Sequence, residues 1–192
     1  MTIVIVNRRS MSTRDKMIDG AIQLLATKGL QATSFSEVLE LTGAPRGSIY
    51  YHFPEGKDQL IAAALQKTSQ RTIDSLKEHT YHSPVELTEY FIELWRKLLT
   101  YSHMKAGCSV LAVTVATDSP ALRKQANRIF SDWSGVLTEL YSDLGTPKSI
   151  AVPFSNELIS ATEGAVVLAR AAEDITPFEQ VATRLIEQAK LL

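Results

Sequence analysis

The sequence predicts an all-α chain of about nine helices. Three observations carry that expectation. Apolar residues recur at three- and four-residue spacing through most of the chain. A helix-opening device repeats, because Ser83-Pro84, Ser119-Pro120 and Thr176-Pro177 each set an N-cap residue before a proline suited to the first turn. The one stretch of strand-like composition, Cys108 to Thr117, has no second strand to pair with, and a lone strand is not stable. It is therefore expected as a short buried helix.

The first helix spans about 13–28, with Met17, Ile18, Ala21, Ile22, Leu24 and Leu25 as its apolar face and Gly29 as its stop. Ser34-Phe-Ser-Glu37 is a capping-box pattern that opens a short helix through Leu41, closed by Gly43. A second short helix follows at about 45–52, with Pro45 in its first turn. After the break at Phe53-Pro-Glu-Gly56, a long helix runs from Lys57 to Glu78. The helix after Ser83 presents Leu87, Tyr90, Phe91, Leu94, Trp95 and Leu98. The helix after Ser119 carries Leu122, Ala126, Ile129, Phe130, Trp133 and Leu137 and ends at Gly145. Phe154 to Ala171 forms another, and the last follows Thr176 with Phe178, Val181, Leu185 and Ala189. Glu86 and Glu179 are placed to complete capping boxes.

Composition sets the limits on function. The 192 residues are 45% hydrophobic and 21% charged, which suits a globular chain with a sizeable core. A formal charge of −1 excludes a uniformly basic nucleic-acid coat. It conceals a split, since residues 1–57 carry net +2 and residues 58–192 net −3. With one cysteine, Cys108, no intramolecular disulfide is possible, and a cytoplasmic setting is expected. The longest apolar run, Val110 to Ala116, is far short of the roughly 20 residues of a membrane span. Residues 1–11 read as a flexible arm; alternatively Met11 is the start and residues 1–10 are an upstream extension.

The chemistry concentrates in residues 34–52. Two short helices joined by Thr42-Gly-Ala44 form a helix-turn-helix pattern. The second helix begins Pro45-Arg-Gly-Ser48 and ends Tyr50-Tyr-His52. Arg46 can donate to a guanine edge or a phosphate, Gly47 permits close backbone approach, and Ser48, Tyr50, Tyr51 and His52 supply hydroxyl and imidazole groups. Ile49 and Phe53 are its apolar anchors. Lys57 stands at the open amide end of the next helix, where phosphate is attracted.

The string Thr33-Ser-Phe-Ser-Glu-Val38, followed by Thr42-Gly-Ala-Pro-Arg-Gly-Ser-Ile-Tyr-Tyr-His-Phe-Pro-Glu-Gly-Lys-Asp-Gln-Leu60, resembles the TetR/AcrR family of transcriptional repressors. The resemblance covers about residues 12–60. The Ala-Pro-Arg-Gly-Ser variant and the glycine before Lys57 resemble the subgroup of multidrug-efflux repressors. Pro45 departs from the pattern, since many members carry serine or threonine there, and it removes a backbone donor to phosphate. The resemblance implies a helix-turn-helix DNA-binding domain at 12–56 and a helical ligand-binding and dimerisation domain at 57–192. It implies that Thr33, Ser34 and Lys57 contact phosphate, that Arg46, Gly47 and Ser48 at the Pro45 end enter the major groove, and that Tyr50, Tyr51 and His52 contact the DNA backbone. It also implies a homodimer through helices 154–171 and 177–192, two half-sites of a palindromic operator, and release by a small apolar or aromatic effector.

For the effector pocket, Tyr90, Phe91, Trp95, Tyr101, Met104, Cys108, Phe130 and Trp133 are the candidates, with Glu163 as a polar member. For any one of the aromatic residues core is the simpler reading, and only as a group do they suggest a pocket. His79 and His82, with Glu78 and His103, form a possible metal group, but a solvated helix end is the simpler reading, and neither a metal nor a cofactor is expected. Cys108 reads as a buried inert thiol before it reads as a redox sensor. No catalytic constellation stands out, so the chain is not expected to be an enzyme. The rival is an all-α small-molecule-binding protein or enzyme without DNA binding. A third possibility keeps DNA binding and replaces the effector with a protein partner or a redox signal.

Overall fold

The computed structural model describes residues 12–192, so the N-terminal arm at 1–11 lies outside the described residues. Among them the chain forms nine helices and no strand: α1 (Thr13–Lys28), α2 (Phe35–Thr42), α3 (Arg46–His52), α4 (Lys57–Glu78), α5 (Pro84–Tyr101), α6 (Ser109–Ala116), α7 (Pro120–Asp143), α8 (Lys148–Ala172) and α9 (Thr176–Ala189).

The first three helices build a small head. Ser12 caps α1 by accepting from the Asp15 amide, and Ser34 caps α2 by accepting from the Glu37 amide. Gly43 ends α2 in the left-handed conformation at φ 66°, which turns the chain into α3 at low steric cost. Met17, Leu25, Val38, Ile49 and Phe53 are buried and hold the three helices together. At Gly20 a Cβ would lie 2.6 Å from Thr42 Cγ2, so only glycine lets α1 and α2 approach this closely.

α4 leaves the head and enters the body, burying Leu60, Ile61, Ala64 and Leu65 near one end and Leu76 near the other. It packs against α1 and α7. The short connection between α7 and α8 makes them packed neighbours, and α9 lies against α8 and α5. Arg96 of α5 clamps α9 through a two-pronged contact with Glu179, 2.6 Å and 2.9 Å.

Several boundaries differ from expectation for local reasons. α8 begins at Lys148 rather than Phe154 and carries Pro153 within it. The proline removes a bond to the Ser149 carbonyl, and both residues are exposed near the helix start, where water can satisfy that group. Pro45 is the N-cap of α3 rather than a first-turn residue. Ile175, not Thr176, is the N-cap of α9, and Asp174 accepts from both the amide and the hydroxyl of Thr176. Glu179 is spent on Arg96 instead of closing a capping box. Glu37 likewise turns to Lys28 at 2.9 Å, while Glu86 reaches back to the His82 amide at 2.7 Å. Ser119 caps nothing with its side chain. α6 forms as expected, because burial of Val110 and Val113 overrides strand propensity.

Candidate functional site

α3 presents its outer face to solvent while Ile49 and Phe53, both 0% exposed, fix its inner face. Arg46 and Gly47 are exposed, and the space where a Gly47 Cβ would sit is open. Tyr50 and Tyr51 are 68% and 82% exposed, a large aromatic surface for a free face. The Tyr50 ring meets Phe35 of α2 edge-on at 5.6 Å, and Tyr51 meets His52 edge-on at 5.1 Å.

Other expected contacts sit differently. Thr33 is 1% exposed and donates its hydroxyl to the Gly29 carbonyl, so it holds the turn and its side chain is not placed for phosphate. Ser34 remains at the mouth of α2, half-buried, 2.8 Å from the Ser36 hydroxyl. Ser48 donates to the Pro45 carbonyl at 2.6 Å, which leaves its oxygen lone pairs for a partner. Lys57 donates to the Leu30 carbonyl at 2.9 Å, tying α4 to the end of α1, and an ammonium keeps two further donors. Arg14 was legible in the sequence only as charge. Its guanidinium lies 5.4 Å from the centre of the Phe53 ring, which places a cation beside the end of α3.

In the body, four of the nine pocket candidates come together. Phe91, Trp95, Cys108 and Trp133 line a cavity of about 220 Å³. Ile22 and Ala26 of α1 form another wall, with Thr68 and Thr72 of α4. Those four were missed, because α1 reads as head and α4 as a connector. The same Ile22 and Ala26, with Leu94 and Leu98, also floor an outer groove of about 880 Å³ that carries Arg71, Lys97 and Lys105.

The other candidates lie elsewhere. Tyr101 is 66% exposed on the outer groove. Met104 lines a groove beside Arg170, and Phe130 lines one between α7 and α8. Tyr90 hydrogen-bonds Ser75 at 2.7 Å and stacks on His79. His79 is thus part of an aromatic cluster, and among the described residues no three metal-ligating side chains gather.

Glu163 is 6% exposed at the groove between α7 and α8, and beyond the adjacent Cys108 thiol its carboxyl oxygens have no hydrogen-bond partner among the described residues. Burial pushes its carboxyl up to about 7, and the neighbouring Cys108 thiol pulls the other way in lesser measure. Burial, then the Glu163 charge, raises the Cys108 thiol well above its ordinary range, which opposes a redox role. A carboxyl raised in the folded state carries no penalty below its ordinary value of 4.5; the penalty grows as pH rises from there to about 7 and is level above. Glu163→Gln is therefore expected to stabilise the fold by roughly 1–3 kcal/mol at pH 8 and to change little at pH 5. Thermal unfolding at the two pH values checks this.

A helix-turn-helix head on a helical body with an internal cavity defines a DNA-binding transcriptional regulator. Family comparison agrees. Residues 17–64 match the family of bacterial regulatory proteins named for tetR, and residues 84–184 match the C-terminal domain of LmrA/YxaF-like transcriptional regulators. An uncharacterised HTH-type transcriptional regulator of Mycobacterium tuberculosis is 31% identical over 90% of this chain and 91% of its own length. The regulator LmrA of Bacillus subtilis is 27% identical over 89% of this chain and 93% of its own. A TetR transcriptional regulator from Legionella pneumophila shares the fold, with a TM-score of 0.82 and 21% identity over 94% of this chain and 99% of that one. The chain belongs to the TetR family, in its LmrA/YxaF-like branch. It is a regulator and not an enzyme, and the rival without DNA binding falls away. No helix among the described residues is long and apolar enough to cross a membrane.

Proposed function

We propose that this chain is a ligand-responsive repressor that binds a palindromic operator as a homodimer and is released by a small apolar or aromatic effector. In this reading Arg46, Gly47 and Ser48 enter the major groove. Tyr50, Tyr51 and His52 contact the DNA backbone, and Ser34, Lys57 and Arg14 face phosphates. The single observation that carries effector control is that head helix α1 is itself a wall of the body cavity, through Ile22 and Ala26. The Gly107 amide, at the cavity rim, donates to the Ala26 carbonyl at 2.8 Å. Arg170 braces the same loop by donating to the Lys105 carbonyl at 3.1 Å. An occupant that moves this loop moves α1, and differential affinity for the two head positions then shifts the population away from the DNA-binding form.

Both tryptophans of the chain, Trp95 and Trp133, line the cavity, so tryptophan emission reports its occupancy. A compound that releases bound duplex is expected to change tryptophan emission over the same concentration range. Release of duplex with unchanged emission would overturn the cavity as the effector site.

α8 supports the dimer. It exposes Val152, Val167 and Leu168, apolar side chains that gain from leaving water, and Gly164 between them is exposed too. Val167→Glu is expected to shift the protein from dimer to monomer in sedimentation and to weaken operator binding at least tenfold, with thermal stability of the chain retained.

A further inference from the structure

The turn between α5 and α6 holds two successive non-glycine residues in the left-handed region, His103 at φ 51° and Met104 at φ 62°. Such a backbone persists only where its surroundings fix it. Three helices do so here. The Met104 amide donates to the Leu99 carbonyl of α5 at 2.8 Å. The Gly107 amide donates to the Ala26 carbonyl of α1, also at 2.8 Å. Arg170 Nη2 of α8 donates to the Lys105 carbonyl at 3.1 Å.

Gly107 is buried against the same guanidinium, and a Cβ there would lie 2.6 Å from Arg170 Nη1 and 3.3 Å from its Cδ. Its φ is outside the left-handed region, so glycine serves that close approach and not a backbone angle. Among the described residues no carboxylate pairs with Arg170, and its side-chain hydrogen bond goes to this turn. α8 also exposes Val167 and Leu168, both within one turn of Arg170. Contacts thus run without a break from α8, through Arg170 and the turn, to α1, which packs on α2 and α3.

We infer that Arg170 is a positioning residue for DNA recognition: it holds the α5–α6 turn, and through Gly107 holds α1, against the helix that joins the two copies, and so sets the distance between the two reading heads. This rests on the reading of a dimer joined through α8. The brace is separate from the cavity contacts of Ile22 and Ala26, because Arg170 does not line that cavity. It is also separate from the core of the head, where Met17, Val38, Ile49 and Phe53 are buried among themselves. With the brace cut, each head keeps its fold and its own DNA contacts, and the spacing between heads loosens.

The test is fluorescence anisotropy of the full-length protein with a cognate inverted repeat and with the same repeat carrying two base pairs more or fewer between its half-sites. The unaltered protein is expected to prefer its own spacing at least tenfold. Arg170→Ala is expected to bring the three duplexes within about threefold of one another, while it still prefers cognate over scrambled half-sites and stays a dimer in sedimentation. Arg170→Gln serves the same purpose should the alanine variant fail to fold. Gly107→Ala, which takes the room of the guanidinium, is expected to have the same effect and to add nothing in the Arg170→Ala background. Full spacing preference in Arg170→Ala, or effects of the two substitutions that add, would overturn the proposal and leave the dimer reading standing. Loss of half-site preference or of the dimer in Arg170→Ala would overturn it too, since the arginine would then be a general prop. An unaltered protein that is indifferent to spacing, or monomeric, would remove the dimer reading and the proposal together.

Discussion

Arg46→Ala is expected to weaken binding of a cognate duplex by roughly ten- to a hundredfold per half-site, the worth of one bidentate arginine–guanine contact. Arg46 opens α3 on its exposed face, next to a glycine whose flank is open. No described acid pairs with it. The loss is expected to be specific, with the variant binding cognate and scrambled duplex almost equally. Arg46→Lys is expected to recover part of the affinity and little of the discrimination, because an ammonium cannot make the two-pronged contact. The charge balance sharpens this. Residues 12–57 carry five basic and five acidic side chains, so affinity depends on placed contacts and not on bulk charge. Operator binding by the dimer is therefore expected to fall gently with salt, with a log–log slope shallower than about −6. Fluorescence anisotropy with labelled duplex at several salt concentrations checks both points. Unchanged affinity in Arg46→Ala, or a much steeper slope, would contradict the assignment of α3.

Phe53→Ala is expected to cost about 3–5 kcal/mol, the range for emptying a fully buried phenylalanine site. Phe53 follows α3, is 0% exposed, and donates its amide to the Ile49 carbonyl at 2.8 Å, closing the helix. It also carries the Arg14 guanidinium on its ring. Its loss removes the inner anchor of α3 and the seat of a cation together. Thermal unfolding is expected to show an early step for the head, ahead of the body, with duplex binding abolished. Phe53→Leu is expected to restore most of the stability, since volume is nearly kept, and to leave DNA binding weaker than the native protein because the ring under Arg14 is gone. Full binding by the leucine variant would show that the Arg14 contact is dispensable.

Much of this arrangement was legible in the sequence. Helical spacing and the serine caps of α2 and α5 are local signals, and they mark elements wherever the side chain has no better partner. Glu37, Glu179 and Thr176 show the limit. Lys28, Arg96 and Asp174 captured them, and two of those partners lie on other helices. The reading head was visible because its turn, glycine and aromatic residues fall within one short segment. The cavity was visible only in part. Phe91, Trp95 and Trp133 announce themselves by size, but Ile22 and Ala26 join them through the crossing of α1 over the body, which no local pattern encodes. Tyr101 and Met104 have the same apolar character and point elsewhere, because they fall at the end of α5 and in the turn beyond it.

The most direct measurement is selection of binding sites from a random duplex library with the full-length protein, followed by the same selection with Arg46→Ala. The expected result is one enriched inverted repeat whose half-sites are separated by about one turn of DNA, with the enrichment lost in the variant. No enrichment, a lone half-site, or an identical motif from Arg46→Ala would contradict a dimeric repressor that reads DNA through α3.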